Sequence, residues 1–191
     1  MSVSQTQDSN VPDPVITLGH PVLRQAAQPV VSVNAPQVQR LIERLLRAVR
    51  SAHGVGIAAP QLGASLQILV IASRPNLRYP KAPLMEPTVL INPRLVAASE
   101  ATELGWEGCL SVPGVRGRVA RHQTVEVDYL DRQGQPQRQV WDGFVARIFQ
   151  HEADHLAGKL FLDRLEAETD LLSEAAYQAI EIASMGEGAH D

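Results

Sequence analysis

Residues 143–158 constrain the fold more than any other segment, because their apolar residues recur with the period of an α-helix. The sequence QHEADHLAG closes this segment and places His151 and His155 four residues apart, on the same side of a helix. Glu152 lies beside them, next to the apolar face. We therefore predict a largely buried helix that carries two histidines toward the core. Three polar residues fall on the opposite side of this helix: Arg147, Gln150 and Asp154.

The pattern His-Glu-x-x-His is suited to a metal site, because two imidazoles one helical turn apart can bind the same ion. Glu152 lies one position around the helix from His151, where it can accept a proton from a water molecule without being a ligand. From these residues alone, two other interpretations stay open. The pattern arises by chance in some chains of this composition, and histidines on an apolar face are commonly core residues.

A catalytic metal commonly has three protein ligands and one open position. Several acidic residues follow the helix, but none stands in a recognisable third-ligand pattern. Upstream, Cys109 is the only cysteine of the chain and lies in EGCLSVPG, residues 107–114. A lone cysteine is compatible with an inert buried thiol, a nucleophile or a metal ligand. Taken together with His151 and His155, Cys109 is best interpreted as the third ligand.

The composition is that of an ordinary globular protein. Hydrophobic residues make up 45% of the 191 residues, and the formal net charge is −4. This charge argues against a basic phosphate-binding surface, so no direct nucleic-acid site is evident. No membrane span and no secretory signal are recognisable, and a single cysteine cannot form an intrachain disulfide. We expect a cytoplasmic protein with no membrane partner.

Other elements can be predicted from their periodicity. An amphipathic helix is expected over residues 35–52, and a C-terminal helix over residues 167–185. Strands are expected in four segments, of which the last two flank a turn and form a hairpin: 66–73, 89–98, 122–131 and 135–143.

Three motifs, in their order and separation, resemble those of the peptide deformylases: GVGIAAPQ at 54–61, EGCLSVPG at 107–114 and QHEADHLAG at 150–158. The segment GHPVLRQAAQPV also resembles the opening segment of that family, so the resemblance covers roughly residues 14–165. Each motif alone is a weak signal, whereas three in register are specific.

With the predicted elements, this resemblance implies an α+β fold. Antiparallel sheets would pack around a central buried helix that carries the H-E-x-x-H motif, with an N-terminal amphipathic helix and a C-terminal helix. We expect a disordered N-terminal tail over 1–13, a single deformylase-like catalytic domain over 14–185 and a flexible C-terminal tail over 186–191.

The resemblance implies metal-dependent hydrolysis that removes the formyl group from N-terminal formylmethionine and releases formate. Three residues correspond to the metal ligands of the family: Cys109, His151 and His155. Glu152 corresponds to the general acid/base. The backbone N–H of Leu110 and the side-chain amide of Gln61 correspond to groups that stabilise the negative charge on the formyl oxygen.

The same resemblance assigns substrate contacts to Val55, Gly56, Gly108 and Ile148, the last in a pocket for the methionine side chain. Glu107 and Arg121 match a pair that supports the active-site strands in the family. A solvated surface pair, worth less than about 1 kcal/mol, is the alternative interpretation of these two residues.

The ligand set suits several divalent ions, of which Zn²⁺ is the general expectation. The resemblance implies Fe²⁺ as the physiological metal, with Ni²⁺ or Co²⁺ as substitutes. It also implies N-formylmethionyl nascent peptides as substrates and the ribosome exit region as a place of action. Two alternatives stay open: a zinc metallopeptidase, favoured by H-E-x-x-H alone, and a deformylase-like protein that binds peptides without turnover.

Overall fold

The protein consists of two antiparallel β-sheets and three α-helices within residues 13–76 and 78–187, which are the residues that the computed structural model describes. The predicted α+β class is confirmed. The helices and strands follow in the order α1 (Pro36–Ser51), β1 (Gly56–Ala58), β2 (Ile68–Ile71), β3 (Thr88–Ala98), β4 (Thr102–Cys109), β5 (Val112–His122), β6 (Thr124–Leu130), β7 (Pro136–Asp142), α2 (Gly143–Leu156), β8 (Leu171–Ser173) and α3 (Glu174–Glu187). One short 3-10 helix, Pro21–Arg24, precedes α1 in the described residues. Three more lie between the later elements: Ala59–Leu62, Phe161–Arg164 and Glu168–Asp170.

The larger sheet has the strand order β1-β2-β3-β6-β7, and it lies between α1 and α2 at the β1–β2 end. All four residues of β2 are buried, because both faces of the strand are covered. Ile68 and Val70 belong to the core cluster with α1, whereas Leu69 and Ile71 belong to the cluster with α2. This is why the strand reads as an uninterrupted apolar run in the sequence.

The smaller sheet has the strand order β4-β5-β8, and none of its three strands is among those predicted from the sequence. The β4–β5 hairpin contains several glycines, which lower the strand propensity of both segments. Gly117 shows why one of them is needed, since a Cβ atom there would lie 2.4 Å from the Phe161 ring. Cys109 ends β4 and pairs with Val112 of β5, and both join the core cluster that contains Phe161.

Three sequence predictions about the ends of elements can be compared with the structure. Helix α1 agrees to within one residue at each end. The C-terminal helix begins at Glu174 and not at 167, because Leu171–Ser173 forms β8 and pairs with β5. The predicted hairpin of β6 and β7 is confirmed.

The predicted tails lie mostly outside the described residues. Residues 1–12 and 188–191 are not described, whereas Asp13 accepts a hydrogen bond from Arg44 Nε at 2.9 Å. Gly186 and Glu187 belong to α3. Among the described residues, no helix combines the length and the apolar character that spanning a membrane would require.

Candidate metal centre and active site

Cys109 at the end of β4 meets His151 and His155 of α2, and their ligand atoms all lie within 4.8 Å of one another. The Cys109 Sγ atom is 3.2 Å from His155 Nε2. All three residues are at most 9% exposed. A thiolate and two imidazoles are ligands that Zn²⁺ and Fe²⁺ accept, so the donor set fits one divalent metal ion.

The environment of Cys109 stabilises the thiolate, which is the form that binds a metal. Burial alone raises the pKa of this thiol, but the charge of His155 and hydrogen bonds from His151 and His155 hold it well below its ordinary value. Backbone and side-chain donors also point at the sulfur: the N–H of Ser111 at 3.4 Å and Gln61 Nε2 at 3.6 Å.

The orientation of the Gln61 amide is fixed at its other end. The Ala58 N–H donates to Gln61 Oε1 at 2.8 Å, and Gln61 Nε2 also donates to Ser111 Oγ at 3.2 Å. Gln61 is only 2% exposed. The side-chain NH₂ group is therefore held facing Cys109. A group that donates a hydrogen bond to an oxygen next to Cys109 needs this orientation.

Glu107 orients His151. Its Oε2 atom lies 2.8 Å from His151 Nδ1, which leaves Nε2 as the ligand atom when Nδ1 carries the proton. Arg121 donates to both oxygens of Glu107, at 2.9 and 3.0 Å, and Arg147 Nη1 donates to one of them at 3.0 Å. Burial raises the pKa of Glu107, but hydrogen bonds with His151 and Arg121 outweigh it and lower the pKa.

The interpretation of Glu107 and Arg121 as a solvated surface pair is therefore wrong. The two residues are 3% and 5% exposed. Arg121 Nη1 also donates to Asp154 of α2 at 2.6 Å, so this arginine ties β5 to the helix that carries the histidines. Such a pair holds geometry more than it adds stability, because both charges are desolvated.

The smaller sheet covers the side of α2 that carries Arg147 and Gln150. Arg147 precedes His151 by one helical turn, and both residues contact Glu107, so the expectation that Arg147 lies opposite the histidines is wrong. Arg147 Nη1 donates to the carbonyl of Val119 at 2.8 Å, and its Nη2 donates to the carbonyl of Glu103 at 2.6 Å. Gln150 Nε2 donates to the carbonyl of His122 at 2.9 Å. These polar side chains thus attach the β4–β5 hairpin to α2, the helix that carries His151 and His155.

Glu152 is buried, and its Oε2 atom has no hydrogen-bond partner among the described residues. Burial raises the pKa of Glu152 to about 7, against the opposing charges of His151 and His155. A carboxyl group with a pKa near neutrality is suited to accept and return a proton. Gly56 makes room for it, since a Cβ atom there would lie 2.5 Å from Glu152 Oε1.

One cavity brings together nearly all the residues singled out from the sequence. Its lining includes Val55, Gly56, Gln61, Gly108, Cys109, Leu110, Ile148, His151 and Glu152. Six further lining residues were not assigned to the site from the sequence: Gly54, Arg78, Tyr79, Trp106, Phe144 and Arg147. Phe144 lies on the apolar face of α2, which was a visible signal. Tyr79 lies in a loop without periodicity, where no such signal exists.

Comparison with known sequences agrees with the geometry of this site. The chain matches the family described as polypeptide deformylase over residues 12–170. Peptide deformylase 2 of Nostoc sp. is 53% identical over 167 residues, covering 87% of this chain and 93% of that protein. Peptide deformylase 2 of Shewanella oneidensis is 46% identical over 158 residues, covering 83% and 87%.

Solved structures give the same result. A class I type b peptide deformylase from Acinetobacter baumannii with bound Met-Ala-Ser has a TM-score of 0.79 and 44% identity, covering 81% of this chain and 99% of that one. A peptide deformylase from Synechococcus elongatus in complex with actinonin has a TM-score of 0.74 and 40% identity, covering 88% and 87%. The likeness thus extends over most of the chain in both sequence and fold, and this protein belongs to the polypeptide deformylase family of enzymes.

Proposed function

We propose that this enzyme removes the formyl group from the N-terminal formylmethionine of nascent polypeptides, with one divalent metal ion held by Cys109, His151 and His155. The observation that carries the proposal is the convergence of these three ligands beside the buried carboxyl group of Glu152, one oxygen of which has no partner among the described residues. When bound, the metal supplies a Lewis acid that polarises a carbonyl oxygen and lowers the pKa of water.

Glu152 acts as the general base and then as the general acid. It takes a proton from the water that attacks the formyl carbon, and it later gives that proton to the departing amine nitrogen. A new C–O bond forms, the C–N bond breaks, and the products are formate and a free N-terminus. The pKa of about 7 allows Glu152 to work in both directions near neutral pH.

Gln61 and the backbone N–H of Leu110 stabilise the charge that develops on the formyl oxygen. The Gln61 amide is held in place by Ala58 and Ser111 before any substrate arrives. Because such donors need no reorganisation during the reaction, each is typically worth about 2.7–4 kcal/mol in the transition state.

The substrate lies along the cavity wall. Val55, Gly56 and Gly108 offer their backbone to the peptide, and Ile148 contacts the methionine side chain. Gly56 has no space for a Cβ atom, since one would meet Glu152 Oε1 at 2.5 Å and Ile148 Cγ2 at 2.8 Å. A Cβ atom on Gly108 would lie only 3.0 Å from Cδ of the buried Arg116.

The metal is Fe²⁺ in the cell, with Zn²⁺, Ni²⁺ or Co²⁺ able to take its place in purified protein. The enzyme works in the cytoplasm, near the ribosome exit region where nascent peptides emerge. Residues 14–185 form its single catalytic domain.

Formate release tests this proposal directly. Protein prepared without oxygen and loaded with Fe²⁺ is expected to release formate from formyl-Met-Ala-Ser and to leave acetyl-Met-Ala-Ser intact. Cleavage of internal peptide bonds without formate would favour a metallopeptidase, and peptide binding without formate would favour a non-catalytic binding protein.

Two variants separate the roles of the metal ligands and the base. Glu152→Ala is expected to keep the metal and lose about 100- to 10,000-fold in turnover, the usual contribution of a general base. Cys109→Ala is expected to lose the metal, measured by metal analysis after dialysis. The exposed Glu86 provides a matched control, and Glu86→Ala is expected to change neither quantity. Equal metal loss in the Glu152 and Cys109 variants would contradict the separate roles.

A further inference from the structure

A second cavity adjoins the active site, between α3 and the loop that joins β2 to β3. Arg78, Tyr79 and Phe144 line both this outer cavity and the active-site cavity, so the two share a wall. Lys81 and Tyr177 line its other side. Its volume of about 280 Å³ leaves room for an amino-acid side chain.

Tyr79 forms the boundary between the two cavities. Its ring lies 5.2 Å from that of Phe144, and its hydroxyl group accepts a hydrogen bond from the Gly108 N–H at 3.3 Å. A peptide in the active-site cavity that extends across the shared wall of Arg78, Tyr79 and Phe144 would enter the outer cavity.

The wall of the outer cavity is held in place by a buried arginine of β5. The Arg116 guanidinium lies 5.0 Å from the Tyr79 ring and 4.8 Å from the Tyr177 ring, within the range of cation–π contacts. Both oxygens of Glu174 accept hydrogen bonds from Arg116, at 2.8 and 3.0 Å. A cavity whose wall is already ordered costs little reorganisation when a ligand binds.

The outer cavity is positively charged. Arg78 and Lys81 line it, and its lining contains no acidic residue, although the charge of Arg78 helps to lower the pKa of Glu174 nearby. Glu174 is the nearby acidic group, and its carboxylate is paired with Arg116. A side chain that complements this surface carries a negative charge.

We propose that the outer cavity is a subsite for a residue downstream of the formylmethionine, and that it favours Asp or Glu there over Lys or Arg. The proposal rests on the proposed function, because it takes the cleft to be occupied by an N-terminal peptide. It adds a preference among nascent chains that the metal centre alone does not provide.

Binding of amidated product peptides tests the subsite without requiring turnover. Dissociation constants of Met-Ala-Glu-amide and Met-Ala-Lys-amide are measured by calorimetry on metal-loaded protein, together with the corresponding Met-Glu-Ala-amide and Met-Lys-Ala-amide. An acidic side chain would pair with the partly exposed Arg78 and the exposed Lys81, and two such pairs support a preference of about three- to fivefold for the acidic peptide at one of the two positions. Equal affinity for acidic and basic peptides at both positions would overturn the proposal.

Charge reversal at the subsite tests which residues are responsible. Lys81→Glu is expected to abolish or invert the ratio of the two dissociation constants, and using a ratio cancels any general loss of binding. Arg94→Glu on β3 is the matched control, because it changes the net charge equally outside both cavities. An equal change of the ratio in both variants would show a long-range charge effect and overturn the subsite.

The two proposals fail separately. Absence of formate release from formyl-Met-Ala-Ser would contradict the proposed function while the peptide ratios could still be measured. Formate release with no acidic preference in binding would contradict the subsite alone.

Discussion

Arg116 and Arg121 are both buried on β5, yet their surroundings differ. They lie five positions apart, an odd number, and alternation along the strand turns them to opposite faces of the sheet. Arg121 is bonded to Glu107 and Asp154, which are 3% and 5% exposed. Arg116 is bonded to Glu174, whose side chain is 31% exposed, and its Nη1 atom has no hydrogen-bond partner among the described residues.

One strand therefore contacts two neighbouring regions, the proposed metal centre and the outer cavity. The contacts of Arg121 lead through Glu107 to His151, so they act on the proposed metal centre. The contacts of Arg116 lead to Tyr79 and Tyr177, so they bear on the wall over which a peptide would pass. Buried ion pairs stabilise little in net terms, and their value here lies in the positions that they fix.

Removing Arg121 should have the largest effect. Arg121→Ala leaves Glu107 and Asp154 buried with fewer partners, which typically costs about 3–5 kcal/mol in the free energy of unfolding. Because Glu107 orients His151, metal affinity should also fall by about 10- to 100-fold. Chemical denaturation and metal titration measure the two effects, and unchanged metal affinity would contradict the link from Arg121 to the metal.

Removing Arg116 should cost less. Arg116→Ala frees the partly exposed Glu174, which water can solvate, so the loss in the free energy of unfolding should be about 2 kcal/mol, mostly from packing and hydrogen bonds. Metal affinity should stay within twofold of the wild type (about 0.4 kcal/mol at most). A metal affinity as low as that of Arg121→Ala would remove the distinction between the two arginines.

Acid should lower the free energy of unfolding through the carboxylates bonded to both arginines, but by different amounts. Burial raises the pKa of Asp154, but hydrogen bonds from Arg164 and Arg121 and the charges of these arginines outweigh it, so the pKa is lowered. The pKa of Glu174 is also lowered, chiefly by its hydrogen bonds from Arg116. A lowered folded-state pKa means stability that is present above the ordinary pKa and is lost as the pH falls through the folded value. The loss therefore begins near pH 4.5 for Glu174 and near pH 3.8 for Asp154.

Urea denaturation between pH 6 and about pH 2 measures this loss, since the contribution of Asp154 is lost only below pH 3.8. Asp154→Asn should flatten the acid limb of the stability curve more than Glu174→Gln, because Asp154 is the more buried of the two. An equal flattening by both substitutions would contradict the ranking.

An exposed pair sets the lower limit of these effects. Arg94 and Asp128 form an ion pair at 2.7 Å, but the arginine side chain is 69% exposed. Arg94→Gln should change the free energy of unfolding by less than about 0.5 kcal/mol, since water screens such a pair. A cost similar to that of Arg116→Ala would mean that burial does not decide the value of these pairs.

Much of the fold was predictable because its signals are local. The helical spacing of apolar residues in α1 and α2 and the alternation of apolar and polar residues in β6 and β7 can each be recognised within one short segment. The β4–β5 hairpin escaped because glycines and charged residues interrupt its pattern. The start of α3 was misplaced because pairing with β5 turned Leu171–Ser173 into a strand.

The sequence by itself determined the chemistry: one cysteine, two histidines one helical turn apart and a glutamate beside them, within motifs that resemble those of one family. These are properties of residue type and spacing, which local geometry preserves. Only the tertiary structure decided that Arg121 is buried and bonded to Asp154 of α2. It likewise decided that Arg116 contacts the rings of Tyr79 and Tyr177 beside the outer cavity. Charged residues look alike in a sequence, and what they do depends on which distant elements remove them from water.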